Sequence, residues 1–285
     1  MTIAANNLVL NKLFTQNVFQ DLINYSTNTI YGAVVQQYVE DCIAKNNGEL
    51  ISEIYSFMSK SYRNEYFYLN TLLNKLLLKR HNINTAALTQ IPIGKSKADF
   101  ILINGKAVVY EIKTELDSFD RLETQLNDYF KAFNHVCVVT SEGNYQRLTN
   151  ILRDTPVGIC VLTNRNTISS TLKKQAVKNN SYLEHRVIFK VLHKNEYENI
   201  IKKHFGSLPT ASQVFYYDEC LAWFEKIPIL KAYSATLKEL KKRNKIMPSR
   251  FQEIPYELKS LMYFSAPTSK DYDGLNYFLN EKYRG

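Results

Sequence analysis

Residues 98–113 read ADFILINGKAVVYEIK, and the alternation inside that stretch decides how the rest of the chain is understood. Two short apolar runs, Ala98 to Ile103 and Ala107 to Lys113, flank Asn104-Gly105, a dipeptide that tolerates positive φ and so signals a hairpin. In the second run Glu111 and Lys113 are two apart, so on a strand both project from one face while Tyr110 and Ile112 point to the other. One face is expected to be chemical and the other core. Asp99 lies on the preceding strand, and hairpin parity decides whether it meets Glu111. Directly paired residues share a face, so the two carboxylates converge only if paired numbers add to an even value, which requires a connection of odd length. A two-residue Asn104-Gly105 turn would put them on opposite faces. The expectation is therefore a three-residue loop with Gly105 inside it.

Outward from this stretch the periods alternate. Ile91-Pro92-Ile93 forms another strand-like run before it. After it, Leu122, Leu126, Tyr129 and Phe133 mark one face of a helix, followed by a buried strand from His135 to Thr140. A helix near Tyr145–Leu152 and a β-rich run from Val157 to Thr163 complete an α-β-β-β-α-β-α-β order. Upstream, Leu69, Leu72, Leu73 and Leu76 line a helix from about Glu65 to Lys79, with Glu65 on the same face. The first sixty residues carry helical spacing (Leu10, Leu13, Phe14; Val34, Val35, Tyr38, Val39) and suggest two or three helices. After about residue 165 only helical patterns remain. The expected fold class is α/β, in three parts: residues 1–60 a helical lead-in, 61–165 the core, 166–285 a basic helical region.

With 285 residues and 45% hydrophobic positions, the chain has the apolar content for one substantial core and a smaller second one. Its 36 Lys+Arg against 27 Asp+Glu give +9. Residues 1–150 hold 14 basic against 14 acidic, residues 151–285 hold 22 against 13, so the whole excess is C-terminal. A polycation favours nucleic acid or an anionic surface as partner over an acidic substrate. Cys42, Cys137, Cys160 and Cys220 are scattered with no C-x-x-C pair, which argues against a zinc knuckle or a disulfide framework and for a reducing compartment. No secretory leader or spanning stretch is read, and the protein is expected to be soluble and cytoplasmic.

Two carboxylates converging with a lysine suit phosphodiester hydrolysis. Carboxylates supply the hard oxygens Mg²⁺ prefers, the metal activates water, and an ammonium steadies developing negative charge. Asp99 followed by Glu111-Ile112-Lys113, within that element order, resembles the PD-(D/E)XK nuclease superfamily and its restriction-endonuclease-like core. The resemblance implies a Mg²⁺- or Mn²⁺-dependent endonuclease-type hydrolase acting on nucleic acid, DNA foremost, with metal on Asp99, Glu111 and the backbone carbonyl of Ile112. Lys113 would orient or activate the attacking water. Gln125 and Tyr129, at i and i+4 of the next helix, are similar to the Q-x-x-x-Y element of the RecB-like branch. Glu65 matches an acidic residue many members carry before the sheet, as a metal ligand or beside one. The segment from Glu111 through Tyr129 also resembles an uncharacterised bacterial branch, which points toward anti-phage defence or DNA processing. Ala98 stands where the motif has proline.

Plainer readings stand beside these. Glu-x-Lys occurs three times, at Glu111, Glu239 and Glu257, and only the first lies on a strand preceded by an aspartate-bearing strand. An edge hairpin also alternates charges to deter aggregation. Gln125 and Tyr129 fit an ordinary surface pair as well. Lys95 and Lys97, just before Asp99, suit either phosphate or a solvated strand end. Lys238, Lys241, Lys242, Arg243 and Lys245 form a basic tract that suits either nucleic-acid binding or a solvated helix end. His135, His185, His193 and His204 lack metal-ligand spacing and are expected to be structural. The functional alternatives are a catalytically silent nuclease-fold protein binding nucleic acid or a partner protein, and an RNA-directed toxin or a subunit requiring an ATPase partner; a homo-oligomer is left open.

Overall fold

The computed structural model of the protein describes residues 7–78, 85–243 and 246–284. In chain order the helices are α1 (Leu8–Leu13), α2 (Gln16–Tyr25), α3 (Thr29–Tyr38), α4 (Asn47–Ser61) and α5 (Glu65–Leu72), the last continued by a π-helical turn, Leu73–Leu78. Strands β1 (Ala86–Ile93), β2 (Ser96–Asn104) and β3 (Lys106–Lys113) lead to α6 (Leu122–Ala132) and β4 (Val136–Ser141). Then come α7 (Tyr145–Ile151), β5 (Gly158–Leu162), β6 (Ile168–Lys174), α8 (His185–Val191), α9 (Lys194–Phe205), α10 (Tyr216–Glu225) and α11 (Ile229–Lys241). The chain closes with α12 (Pro248–Gln252), α13 (Lys259–Phe264) and α14 (Ser269–Asn280). Among the described residues no helix is long and apolar enough to cross a membrane.

The molecule is mixed α/β, and among the described residues six strands form one sheet in the order β1-β2-β3-β4-β5-β6. β1, β2 and β3 run antiparallel in succession, β3, β4 and β5 run parallel, and β6 returns antiparallel to β5. Parallel neighbours cannot be joined by a tight turn, and α6 and α7 provide the crossovers. β4, with parallel neighbours on both sides, is buried at every position, as its VCVVTS sequence requires. β1 is an edge, where Pro92, lacking an N–H, is tolerated. Ala107 and Val109 of β3, Val138 of β4 and Ile159 of β5 form a core with Leu122, Leu126 and Tyr129 of α6, Phe133 just after it, and Phe189 of α8.

Four expectations need correction. The strand pattern does not stop at residue 165, because β6 follows; its ISSTLKK sequence buries no residue fully, so it lacks the apolar alternation that reveals an inner strand. Among the described residues the first sixty carry four α-helices and a 3₁₀ turn, Cys42–Ala44, because short helices with brief connections blur into one periodic run. Both faces of β3 are covered: Glu111 and Lys113 share their face with core residues Ala107 and Val109, and Ile112 on the other face is also buried. Finally, the compact units are Met1–Lys79 with Lys245–Gly285, and Arg80–Asn244, in place of divisions at 60 and 165. Helix α14 packs on α2 and α4, which joins the two ends of the chain in one helical unit, while α8 to α11 belong with the sheet.

Candidate active site

The β2–β3 register sets the site. Pairing runs from Phe100 opposite Tyr110 to Asn104 opposite Lys106, every pair adding to 210, with Gly105 at the tip at φ +71°. Asn104-Gly105-Lys106 is thus a three-residue connection inside the Ile103–Ala107 pair. The even sum carried one step further sets Asp99 across from Glu111, on the same face.

The ladder stops before it reaches that pair. At the next hydrogen-bonding position the Ile112 N–H is taken by the Asp99 side chain, donating to Oδ2 at 2.8 Å. A strand residue directs its N–H and C=O to the same side, so the Ile112 carbonyl also faces the gap where β2 parts from β3. Across β2, the ladder with β1 skips Gln90, the position opposite Asp99, and Gln90 has φ +55°. A left-handed non-glycine residue costs on the order of 1–2 kcal/mol. Thr89 secures the bend by donating from Oγ1 to the Asp99 carbonyl at 2.6 Å.

Glu111 is 1% exposed, so its charge must be met inside the protein. Lys113 approaches Oε1 at 3.0 Å and the Tyr129 hydroxyl donates to Oε2 at 2.6 Å. Lys113 also donates to Gln125 Oε1 at 2.9 Å, which uses two of its three N–H donors. Tyr129 sits 2.9 Å from the Lys97 carbonyl as well, so one phenolic proton serves two acceptors. Burial, then the charge of Glu111 and its hydrogen bond, then the charge of Asp99, push the Tyr129 hydroxyl far above its usual titration range. It is a fixed donor. Gln125 and Tyr129, one helical turn apart on α6, therefore reach Lys113 and Glu111 of β3.

Sequence reasoning missed Asp128. It accepts from the Lys95 N–H at 3.0 Å, Ser96 Oγ at 2.9 Å and Lys131 Nζ at 3.1 Å, which ties α6 to the turn between β1 and β2. Burial raises its pKa, and the hydrogen bonds from Lys131, Ser96 and Lys95 together overcome that, so the net shift is downward. Gly94 in that turn has φ +62°, and a Cβ there would stand 2.6 Å from Asp128 Oδ1. The only signal in the sequence was an acidic residue next to Tyr129 on an amphipathic helix.

Of the other candidates, Lys95 and Lys97 are exposed at the β1–β2 turn and the start of β2. Glu65 is exposed in the first turn of α5, in the helical unit; it does not share the buried face of its helix, which in the same turn is taken by Tyr66, Phe67 and Tyr68. Arg243 is not free for phosphate: Nε donates to Glu196 Oε1 at 2.7 Å and Nη2 to Val191 O at 2.9 Å and Glu196 Oε2 at 2.5 Å. Lys242 pairs with Glu239 at 2.6 Å, Lys241 is half-buried and Lys238 is exposed. Lys245 lies outside the described residues.

Among the described residues no three His, Cys, Asp or Glu side chains converge as a metal set. Asp99 and Glu111 with the Ile112 carbonyl still fit Mg²⁺ in kind, since that ion is commonly bound by one or two carboxylates and keeps several waters.

No curated protein and no solved structure matches the chain. One family does: the sequence model described as bacteriophage P4 protein cII matches residues 58–260, a span that takes in the whole sheet and the candidate site. That match covers well over half of the 285 residues, and the chain belongs to the bacteriophage P4 protein cII family.

Proposed function

We propose that this protein is a metal-dependent nuclease that hydrolyses phosphodiester bonds, DNA before RNA, on a restriction-endonuclease-like core. The observation that supports the reading is the even hairpin register, which, carried one step beyond its last pair, sets Asp99 and Glu111 on one face of neighbouring strands beside Lys113. When bound, Mg²⁺ or Mn²⁺ held by Asp99, Glu111 and the Ile112 carbonyl would polarise the phosphate and acidify a water. Lys113 directs its remaining N–H toward charge that develops on a phosphate oxygen. Gln125 restrains the lysine, Tyr129 orients Glu111 by donating to it, and Lys95 and Lys97 attract the phosphate backbone. The resemblance of the motif suggests a setting in anti-phage defence or DNA processing.

The test incubates purified protein with plasmid, linear duplex, single-stranded DNA and RNA, in Mg²⁺, Mn²⁺ or EDTA. Cleavage is expected with metal and not with EDTA, and Asp99→Ala or Lys113→Ala is expected to lower it roughly a hundredfold or more with folding retained. Activity that survives both substitutions overturns the site.

One observation favours a second reading, a catalytically silent member of the fold: both Glu111 oxygens already have partners inside the protein. A silent protein would bind nucleic acid with a steep salt dependence and cut none of the substrates with any metal.

A further inference from the structure

Helices α9 and α11 border a groove of about 580 Å³ in the sheet-bearing unit. Its origin is in the sequence of α11. Ala232, Tyr233, Thr236 and Leu240 are buried, so the opposite stripe of the same helix turns outward. That stripe carries Leu230, Lys231, Ala235 and Lys238, and Leu230 is 51% exposed. The floor is aliphatic, from Ile200, Ile227, Leu230 and Ala235.

The rim is basic. Lys203, Lys231 and Lys238 make no ion pair among the described residues, whereas the single carboxylate in the groove, Glu239, is already taken by Lys242 at 2.6 Å and Asn199 Nδ2 at 3.3 Å. Three uncompensated ammonium groups therefore surround a surface that water wets poorly. An occupant that satisfies both has to be anionic and aliphatic at once. A nucleic-acid strand matches the charge but brings flat bases, which bind by stacking on several aromatic rings, whereas His204 is the single ring in the groove lining and the floor is aliphatic. A helix with an aliphatic stripe flanked by Asp and Glu matches charge and floor together.

We propose that the α9–α11 groove docks an acidic amphipathic helix of a partner protein. The site is separate from Asp99, Glu111 and Lys113, and does not depend on whether the protein cleaves nucleic acid.

The full-length protein is titrated by fluorescence anisotropy into a labelled synthetic helix of about four turns. Its leucines are spaced at i, i+3, i+4 and i+7 and glutamate fills the remaining positions. Saturable binding is expected, weakened about tenfold or more when the glutamates become glutamine and likewise when the leucines become serine. The triple variant Lys203→Glu, Lys231→Glu, Lys238→Glu and, separately, Leu230→Asp should each reproduce that loss. All four positions are exposed, and unchanged circular dichroism and melting confirm that the variants fold. The proposal is overturned if the peptide fails to bind, if the glutamine or serine versions bind as well as the parent, or if neither variant weakens it. It is equally overturned if a labelled single-stranded oligonucleotide binds where the peptide does not and loses that binding in the triple lysine variant.

Discussion

Tyr129 shows how much of the site rests on a single proton. It is the hydroxyl donor to Glu111 Oε2, fully buried, and its ring packs in the core. Tyr129→Phe keeps the ring and removes the donor, which leaves a buried carboxylate short of a partner. A loss of about 1–3 kcal/mol in urea unfolding is expected, since a buried acceptor without its hydrogen bond carries that penalty. Asp99, Glu111 and Lys113 were legible because a strand has period two and hairpin parity follows from loop length. Gln125 and Tyr129 were legible from helical spacing. Asp128 was not, because the groups it binds at Lys95 and Ser96 lie on a turn more than thirty residues earlier and spacing within α6 says nothing of them. Arg243 misled for the same reason: a basic run looks uniform until Glu196 claims one member of it.

Helix α6 works as a brace between two parts of the sheet, gripping β3 through Gln125 and Tyr129 and the β1–β2 turn through Asp128. The Asp128 carboxyl is held below its ordinary value, so its contribution to stability is complete above the unfolded carboxylate pKa of about 3.9 and disappears as pH falls through the lower folded value. Thermal melts between neutral pH and pH about 2 should show this acid loss, and Asp128→Asn should melt lower at neutral pH with a shallower acid limb. Gly94→Ala attacks the same joint from the other side, through a left-handed φ and a Cβ 2.6 Å from the carboxylate. A drop of roughly 1–3 kcal/mol in unfolding free energy is expected, and wild-type melting in that variant would refute the joint. The strands that bury both faces were readable from composition, whereas β6 was not, because an edge strand of Ser, Thr and Lys lacks the apolar period on which such readings rest.

The division of the whole molecule escaped the sequence because composition is scanned along a line, while α12 to α14 rejoin helices from the opposite end. Gly274 marks that return: a Cβ at this position of α14 would stand 2.6 Å from the Ile23 carbonyl oxygen of α2. Gly274→Ala should force the helices apart and lower the melting temperature of the helical unit, at a cost of about 1–3 kcal/mol. Nuclease assays on this variant at a temperature where it stays folded should match wild type, since the candidate site lies in the other unit.

Helices α1 to α5 and α12 to α14 form one unit with the sheet segment lying between them in sequence, and this orders the making of the protein. When α1 to α5 emerge from the ribosome, the α14 residues Tyr272, Leu275 and Phe278 that belong to their unit do not yet exist. The sheet, contiguous in sequence, has all its strands and crossovers before then and can close as a block. Throughout that interval α2 lacks the packing of α14, so chains stalled before the last helices leave part of its apolar face in water.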